Sequence, residues 1–167
     1  SSSGQACAAC AAGQFSSSGT NFLCTVCGSG SNEHKQAQAS NTVGDTYNDN
    51  VGSAFCVDCA AGKANTDGLA CDNCAAGQSS SSGGACADCT AGKFSSSGGS
   101  CTDCGTSGSN PNKQAQASNT GNTYDTNGGS AFCVNCAAGK CNTNGGACDN
   151  CAAGQSSSSG GSCADCA

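Results

Sequence analysis

A Cys-x-x-Cys pair recurs nine times in this 167-residue chain, at 7/10, 24/27, 56/59, 71/74, 86/89, 101/104, 133/136, 148/151 and 163/166, with only Cys141 outside the series. No other feature limits the fold so strongly. A period this regular marks a repeat architecture, in which each unit is held chiefly by its neighbours. Successive pairs start 17, 32, 15, 15, 15, 32, 15 and 15 residues apart, and Cys24, Cys56, Cys71 and Cys86 return 77 residues later as Cys101, Cys133, Cys148 and Cys163. The chain is a repeat of repeats: 1–27 holds partial short units, 28–104 a first super-repeat, and 105–167 a second, incomplete one.

The short unit reads Cys-Ala-Ala-Gly-Gln-Ser-Ser-Ser-Ser-Gly-Gly-x-Cys from Cys74 and again from Cys151, with Phe94 in place of a Ser in the unit from Cys89. Gly13, Gly62, Gly77, Gly92, Gly139 and Gly154 share its fourth position, which suits a turn with positive φ. Pairs such as Gly83-Gly84 and Gly160-Gly161 suit a second turn before the closing Cys. Neither helical nor strand periodicity survives in so short and polar a spacer, so each unit is expected to be a loop or irregular hairpin with short β pieces. The long unit, 28–55 and again 105–132, repeats KQAQASNT, a Thr-Tyr at Tyr47 and Tyr124, and a closing Gly-Ser-Ala-Phe. KQAQAS is compatible with one helical turn, too short to be stable alone.

Composition explains the cysteines. Two Tyr, five Phe, no Trp and no Met leave little large apolar surface to offset chain entropy in a protein with 26 Gly. Nineteen Cys then imply disulfides or metal. Redox Cys-x-x-Cys motifs sit in thioredoxin-like βαβ contexts that are lacking here. Zinc needs four ligands per site, and with nine pairs and His34 as the single histidine the pairs do not group evenly into fours. Disulfides across the loops fit better, each closure contributing about 3 kcal/mol. The expected bonds are Cys10 with Cys24, Cys27 with Cys56, Cys59 with Cys71, Cys74 with Cys86, Cys89 with Cys101, Cys104 with Cys133, Cys136 with Cys148, and Cys151 with Cys163. Interleaved pairing is the structural alternative, since connectivity does not follow from sequence. Cys7 and Cys166 would remain open for a neighbouring unit or subunit, as in a window cut from a longer array. Cys141 replaces Phe15, Ala64, Phe94 or a Ser of the other units, which leaves open a free thiol or an inter-unit or intermolecular bond.

The unit Cys10-Ala-Ala-Gly-Gln-Phe-Ser-Ser-Ser-Gly to Cys24-x-x-Cys27, echoed from Cys89 to Cys104, resembles ephrin-receptor-like and tumour necrosis factor receptor-like cysteine-rich modules. Those modules close the corresponding loop with its own disulfide. Used as an Ala-, Ser- and Gly-rich tandem array with KQAQASNT inserts, the pattern looks like the immobilisation or surface antigens of ciliates. That resemblance implies a secreted, lipid-anchored coat protein. This chain departs from it in carrying Ala where the family's version has Cys-Pro-Ala-Gly, and any leader or anchor is expected to lie outside these residues.

The fold expected is therefore a small disulfide-rich repeat, an elongated rod of short loops and β-hairpins with little regular secondary structure. The expected function is an extracellular structural protein, a surface coat or fibre, and not an enzyme. The alternatives are a receptor-like ligand-binding module, with Tyr47, Phe55, Tyr124 and Phe132 as its patch, or a zinc-binding cysteine repeat. No cofactor is called for. Self-association with copies of the same repeat is the expected partnership. A net charge of −6 with five basic residues argues against nucleic acid, and with no apolar run of membrane length any attachment would use an anchor outside this segment.

Loop-tip serines are candidates for O-linked sugar: Ser16, Ser17 and Ser18; Ser79, Ser80, Ser81 and Ser82; Ser95, Ser96 and Ser97; Ser156, Ser157, Ser158 and Ser159. There is no Asn-x-Ser/Thr acceptor. Asp45, Asn48, Asp49 and Asn50 miss the calcium-loop order, and the second copy has Asp125, Thr126 and Asn127 instead. Asp58, Asp72, Asp88, Asp103, Asp149 and Asp165 read as solvated turn residues. His34, without a copy in the second repeat, reads as a solvated loop residue.

Overall fold

The computed structural model describes residues 9–16, 23–39, 41–43, 47, 53, 55–105, 110–120 and 123–166. Among them the strands form eight two-stranded antiparallel hairpins, with one 3₁₀ turn at Gly30–Asn32 and no α-helix. Six hairpins pair two-residue strands; two pair four-residue strands, Lys35–Gln38 with Phe55–Asp58 and Lys113–Gln116 with Phe132–Asn135. The molecule is a small disulfide-rich repeat of short hairpins. It divides into two compact units, Ser1–Asn73 with Ser80–Ala85, and Cys74–Ser79 with Cys86–Ala167.

Two turns build each short unit. In the unit from Cys74, the Gln78 N–H donates to the Ala75 carbonyl at 3.0 Å and Gly77 has φ +86°. That is a type II turn, whose third residue requires positive φ. The second turn repeats the device, with Gly84 N–H on the Ser81 carbonyl at 3.0 Å and Gly83 at φ +70°. The chain then returns as Ala87–Asp88 against Gln78–Ser79, and the Cys89 N–H closes on the Gly77 carbonyl at 2.8 Å.

The long units obey the same rule with a different residue. His34 (φ +58°) and Asn112 (φ +55°) occupy the left-handed position that Gly holds in the short units, and their carbonyls accept the Cys59 and Cys136 N–H groups at 2.8 Å. His34 is thus a half-buried backbone hinge rather than a solvated loop residue, and its partner in the second repeat is Asn112. A side chain with a Cβ costs about 1–2 kcal/mol in this region. After allowing for the greater freedom of Gly in the unfolded chain, His34→Gly is expected to stabilise the first long hairpin by about 0.5–1 kcal/mol, read as slower amide exchange at Cys59.

KQAQ is a strand in both copies, not a helical turn. Following directly on the left-handed residue, it pairs over four positions with FCVD or FCVN and buries Gln36, Ala37 and Gln38, and likewise Gln114, Ala115 and Gln116. Tertiary pairing overrides the weak local preference. Glutamine suits this buried face because its amide replaces a missing ladder: Gln36 Oε1 accepts the Cys71 N–H and Gln114 Oε1 the Cys148 N–H, both at 2.9 Å. Gln114→Leu keeps the bulk but strands a buried N–H. The expected loss is ~1–3 kcal/mol, seen as selective deprotection of the Cys148 amide in hydrogen exchange.

The six recurring aspartates also lie in strands, not turns. Cross-strand register explains four of them. Asp88 and Asp165 accept from Gln78 and Gln155 at 2.9 and 3.1 Å, while Asp58 and Asp103 pair with Lys35 and Lys93. Such exposed pairs tune register and add less than about 1 kcal/mol each.

Sulfur fills the interior. Among the described residues the buried apolar set is Cys10, Cys27, Cys59, Cys74, Cys89, Cys104, Cys136 and Cys148, with only Ala37, Val57 and Ala115 beside them.

Candidate functional site

The sulfur ladder is the chemically distinctive part of the molecule. The structure joins Cys10–Cys24, Cys27–Cys56, Cys59–Cys71, Cys74–Cys86, Cys89–Cys101, Cys104–Cys133, Cys136–Cys148 and Cys151–Cys163. Every rung spans a loop, and among the described residues none lies within a Cys-x-x-Cys or interleaves with another. Cα separations of 5.4–5.7 Å sit within the disulfide range. The two-turn hairpin creates this approach by returning the chain to its starting cysteine.

Serines stitch one unit to the one before it. Ser82 Oγ donates to the Cys59 carbonyl, Ser97 to that of Cys74 and Ser159 to that of Cys136, at 3.0 to 3.2 Å. Two residues earlier, Ser80, Ser95 and Ser157 donate to the carbonyls of Lys63, Gln78 and Lys140. The Gly83, Gly98 and Gly160 N–H groups reinforce the first set at 2.9 Å. Where the preceding unit is long, Asn replaces Ser: Asn142 Nδ2 donates to the Lys113 and Gly146 carbonyls, both at 2.7 Å.

The Ser runs therefore alternate. The alternation is in their partners: Ser81, Ser96 and Ser158 stand between the bonding serines at the second turn, while Ser81, Ser82, Ser96, Ser97, Ser158 and Ser159 are all exposed, as is Ser156 within its strand, and Ser95 is 2% exposed. Ser16 donates its N–H to the Ser53 carbonyl. Ser17 and Ser18 lie outside the described residues, as do Cys7 and the acidic cluster Asp45, Asn48, Asp49 and Asn50. Identical letters conceal this alternation in the sequence; the period of two along an extended segment was the available signal.

In two short units the residue five beyond the opening cysteine reaches the next rung. Ser79 Oγ lies 3.0 Å from Cys101 Sγ. Cys141, at the same position in the short unit that opens at Cys136, lies 2.8 Å from Cys163 Sγ. Cys141 and Cys166 are the free thiols among the described residues, the first half-buried and the second exposed. The sulfurs of Cys141, Cys151 and Cys163 all fall within 4.8 Å of one another.

Of the aromatic patch considered above, Tyr47 and Phe55 belong to the first compact unit and Tyr124 and Phe132 to the second. Phe55 and Phe132 are each 39% exposed, opposite the buried Gln38 and Gln116. Tyr124, with Gln116, Ser118, Thr123 and Asp125, borders an open cavity of about 440 Å³ under the second long insert. Asp125 also holds the Ser130 hydroxyl at 3.1 Å and the Asn127 N–H at 3.0 Å, so its carboxylate organises the loop.

Among the described residues no helix is long and apolar enough to cross a membrane. Comparison with protein-family models and with curated proteins finds no match to this chain. Eight disulfides closing consecutive repeat units fit an extracellular cysteine-rich repeat protein.

Proposed function

We propose that the chain is a structural segment of an extracellular coat or fibre, built by tandem repetition and without catalytic activity. The observation that supports this most is where the conserved-length units direct their polar groups: the serine hydroxyls and turn N–H groups of one unit bond to the backbone of the unit before it. Groups used in this way hold the array together rather than a ligand. Crosslinked loops of 12 to 29 residues' separation present few segments long enough to enter a protease cleft. The resemblance to ciliate surface antigens supports the same reading, with O-linked sugar best accommodated at the exposed turn residues Ser81, Ser96 and Ser158. An antibody raised against the folded protein, applied to intact and to permeabilised cells of the source, tests it. Continuous labelling of the intact surface or of extracellular material is the expected result. Labelling confined to permeabilised cells overturns the proposal.

The open cavity beside Tyr124 supports a second reading, a receptor-like module that binds a ligand at the second long insert. Saturable binding lost on Tyr124→Ala, with the hairpins intact, would favour it over the coat.

A further inference from the structure

We infer that Cys141, Cys163 and Cys151 form a thiol–disulfide exchange site, in which one rung of the ladder has two interchangeable partners. This inference stands independently of the coat reading. Disulfides isomerise when a thiolate attacks one sulfur of the bond and expels the other. Three conditions are needed: a free thiol, a neighbouring disulfide, and contact between them. Cys141 is free, Cys151–Cys163 is bonded, and Cys141 Sγ lies 2.8 Å from Cys163 Sγ, with Cys151 Sγ inside the same 4.8 Å cluster. Cys163 is the disulfide sulfur in contact with Cys141, and so the sulfur attacked.

The step balances without an oxidant. Cys141 loses its proton to solvent, and its thiolate forms a bond to Cys163 Sγ. The Cys151–Cys163 bond breaks, its electron pair leaves on Cys151 Sγ, and Cys151 takes up a proton. One disulfide and one thiol enter and leave; only their identities change. The nucleophile thereby moves from residue 141 to residue 151.

The repeat supplies its own control. In the short unit that opens at Cys74, Ser79 occupies the place that Cys141 holds in the unit from Cys136, and touches Cys101 at 3.0 Å, beside the Cys89–Cys101 bond. A hydroxyl there cannot attack, so that rung has a single partner. The sister site also shows that the fold accepts Ser at this position, which makes Cys141→Ser a safe variant.

The test is disulfide mapping of the intact protein, equilibrated at pH 8 so that thiolate is populated, then acid-quenched, alkylated, digested and weighed. The expected wild-type map contains both Cys151–Cys163 and Cys141–Cys163 peptides, with label divided between Cys141 and Cys151, while Cys89–Cys101 remains single. Cys141→Ser should leave Cys151–Cys163 alone and remove label from both positions. Cys151→Ser, checked for retention of the other rungs, should form Cys141–Cys163 quantitatively. Label on Cys141 without any on Cys151 in the wild type overturns the inference; so does a Cys151→Ser protein in which Cys141 and Cys163 both stay alkylatable.

Discussion

Reduction of the disulfides at neutral pH, without denaturant, is expected to unfold the chain completely. The expectation rests on what fills the interior: of the buried apolar residues described, eight are half-cystines and the remaining three are Ala37, Val57 and Ala115. Each closure removes about 3 kcal/mol of loop entropy from the unfolded ensemble. Eight together exceed the ~5–15 kcal/mol net stability of an ordinary domain. Two-residue strands have no independent stability to set against that loss. Amide exchange and protease digestion before and after reduction read the result: protection at Cys89, Cys104 and Cys136 should vanish and cleavage should accelerate by orders of magnitude. Retained protection would mean that the hydrogen-bonded stitches, not sulfur, carry the fold. Removing a single rung, as in a Cys74→Ser and Cys86→Ser pair, should deprotect the adjoining units and spare distant ones, because the contacts run between neighbours.

Gly77→Ala is expected to be severely damaging and Gly154→Ala mild, although both change the fourth residue of the same motif. Both glycines have φ near +85° and share the ~1–2 kcal/mol backbone penalty of a side chain there. They differ in what a Cβ would meet. At Gly77 it would stand 2.0 Å from the Gly129 carbonyl oxygen, part of the backbone of the second long insert; at Gly154 nothing lies within 4 Å. Backbone cannot swing aside as a flexible side chain does, so Gly77→Ala should lose about 3–5 kcal/mol in total. Gly154→Ala should lose only the shared backbone amount. Native-state hydrogen exchange at Cys89 for the first variant and Cys166 for the second separates them, since these N–H groups bond to the Gly77 and Gly154 carbonyls. Equal losses would show that the insert moves away without resistance.

Much of this architecture is written in spacing. A polar loop flanked by cysteines and carrying Gly at its fourth position admits few closed forms, and the two-turn hairpin with its loop-spanning rung is the one found. Loop-closure entropy and the demand of a type II turn for positive φ are local, so they act on any chain of this pattern. Side-chain roles were less legible. KQAQAS carries no strand signature, and the six aspartates look like turn residues; each becomes a strand residue only because the opposite strand is supplied from a cysteine-fixed register. His34 and Asn112 share no chemistry, and only their backbone angles reveal that they do the work of one glycine. The alternating duties of Ser79 to Ser82 are likewise invisible in four identical letters.

Cys141 marks the division most clearly. From the sequence alone it is a thiol with no counterpart, since the repeat places Ser, Ala or Phe at its position. In the structure that position meets the next rung where Ser79 touches Cys101, and a sulfur at the same place of a later unit stands against Cys163. Period, loop length and turn chemistry thus followed from the order of residues, because those forces operate within a single repeat unit. Which groups touch between units followed only from the folded chain, because contacts such as Gln114 with Cys148, Gly77 with Gly129 and Cys141 with Cys163 exist only after the hairpins have closed and packed.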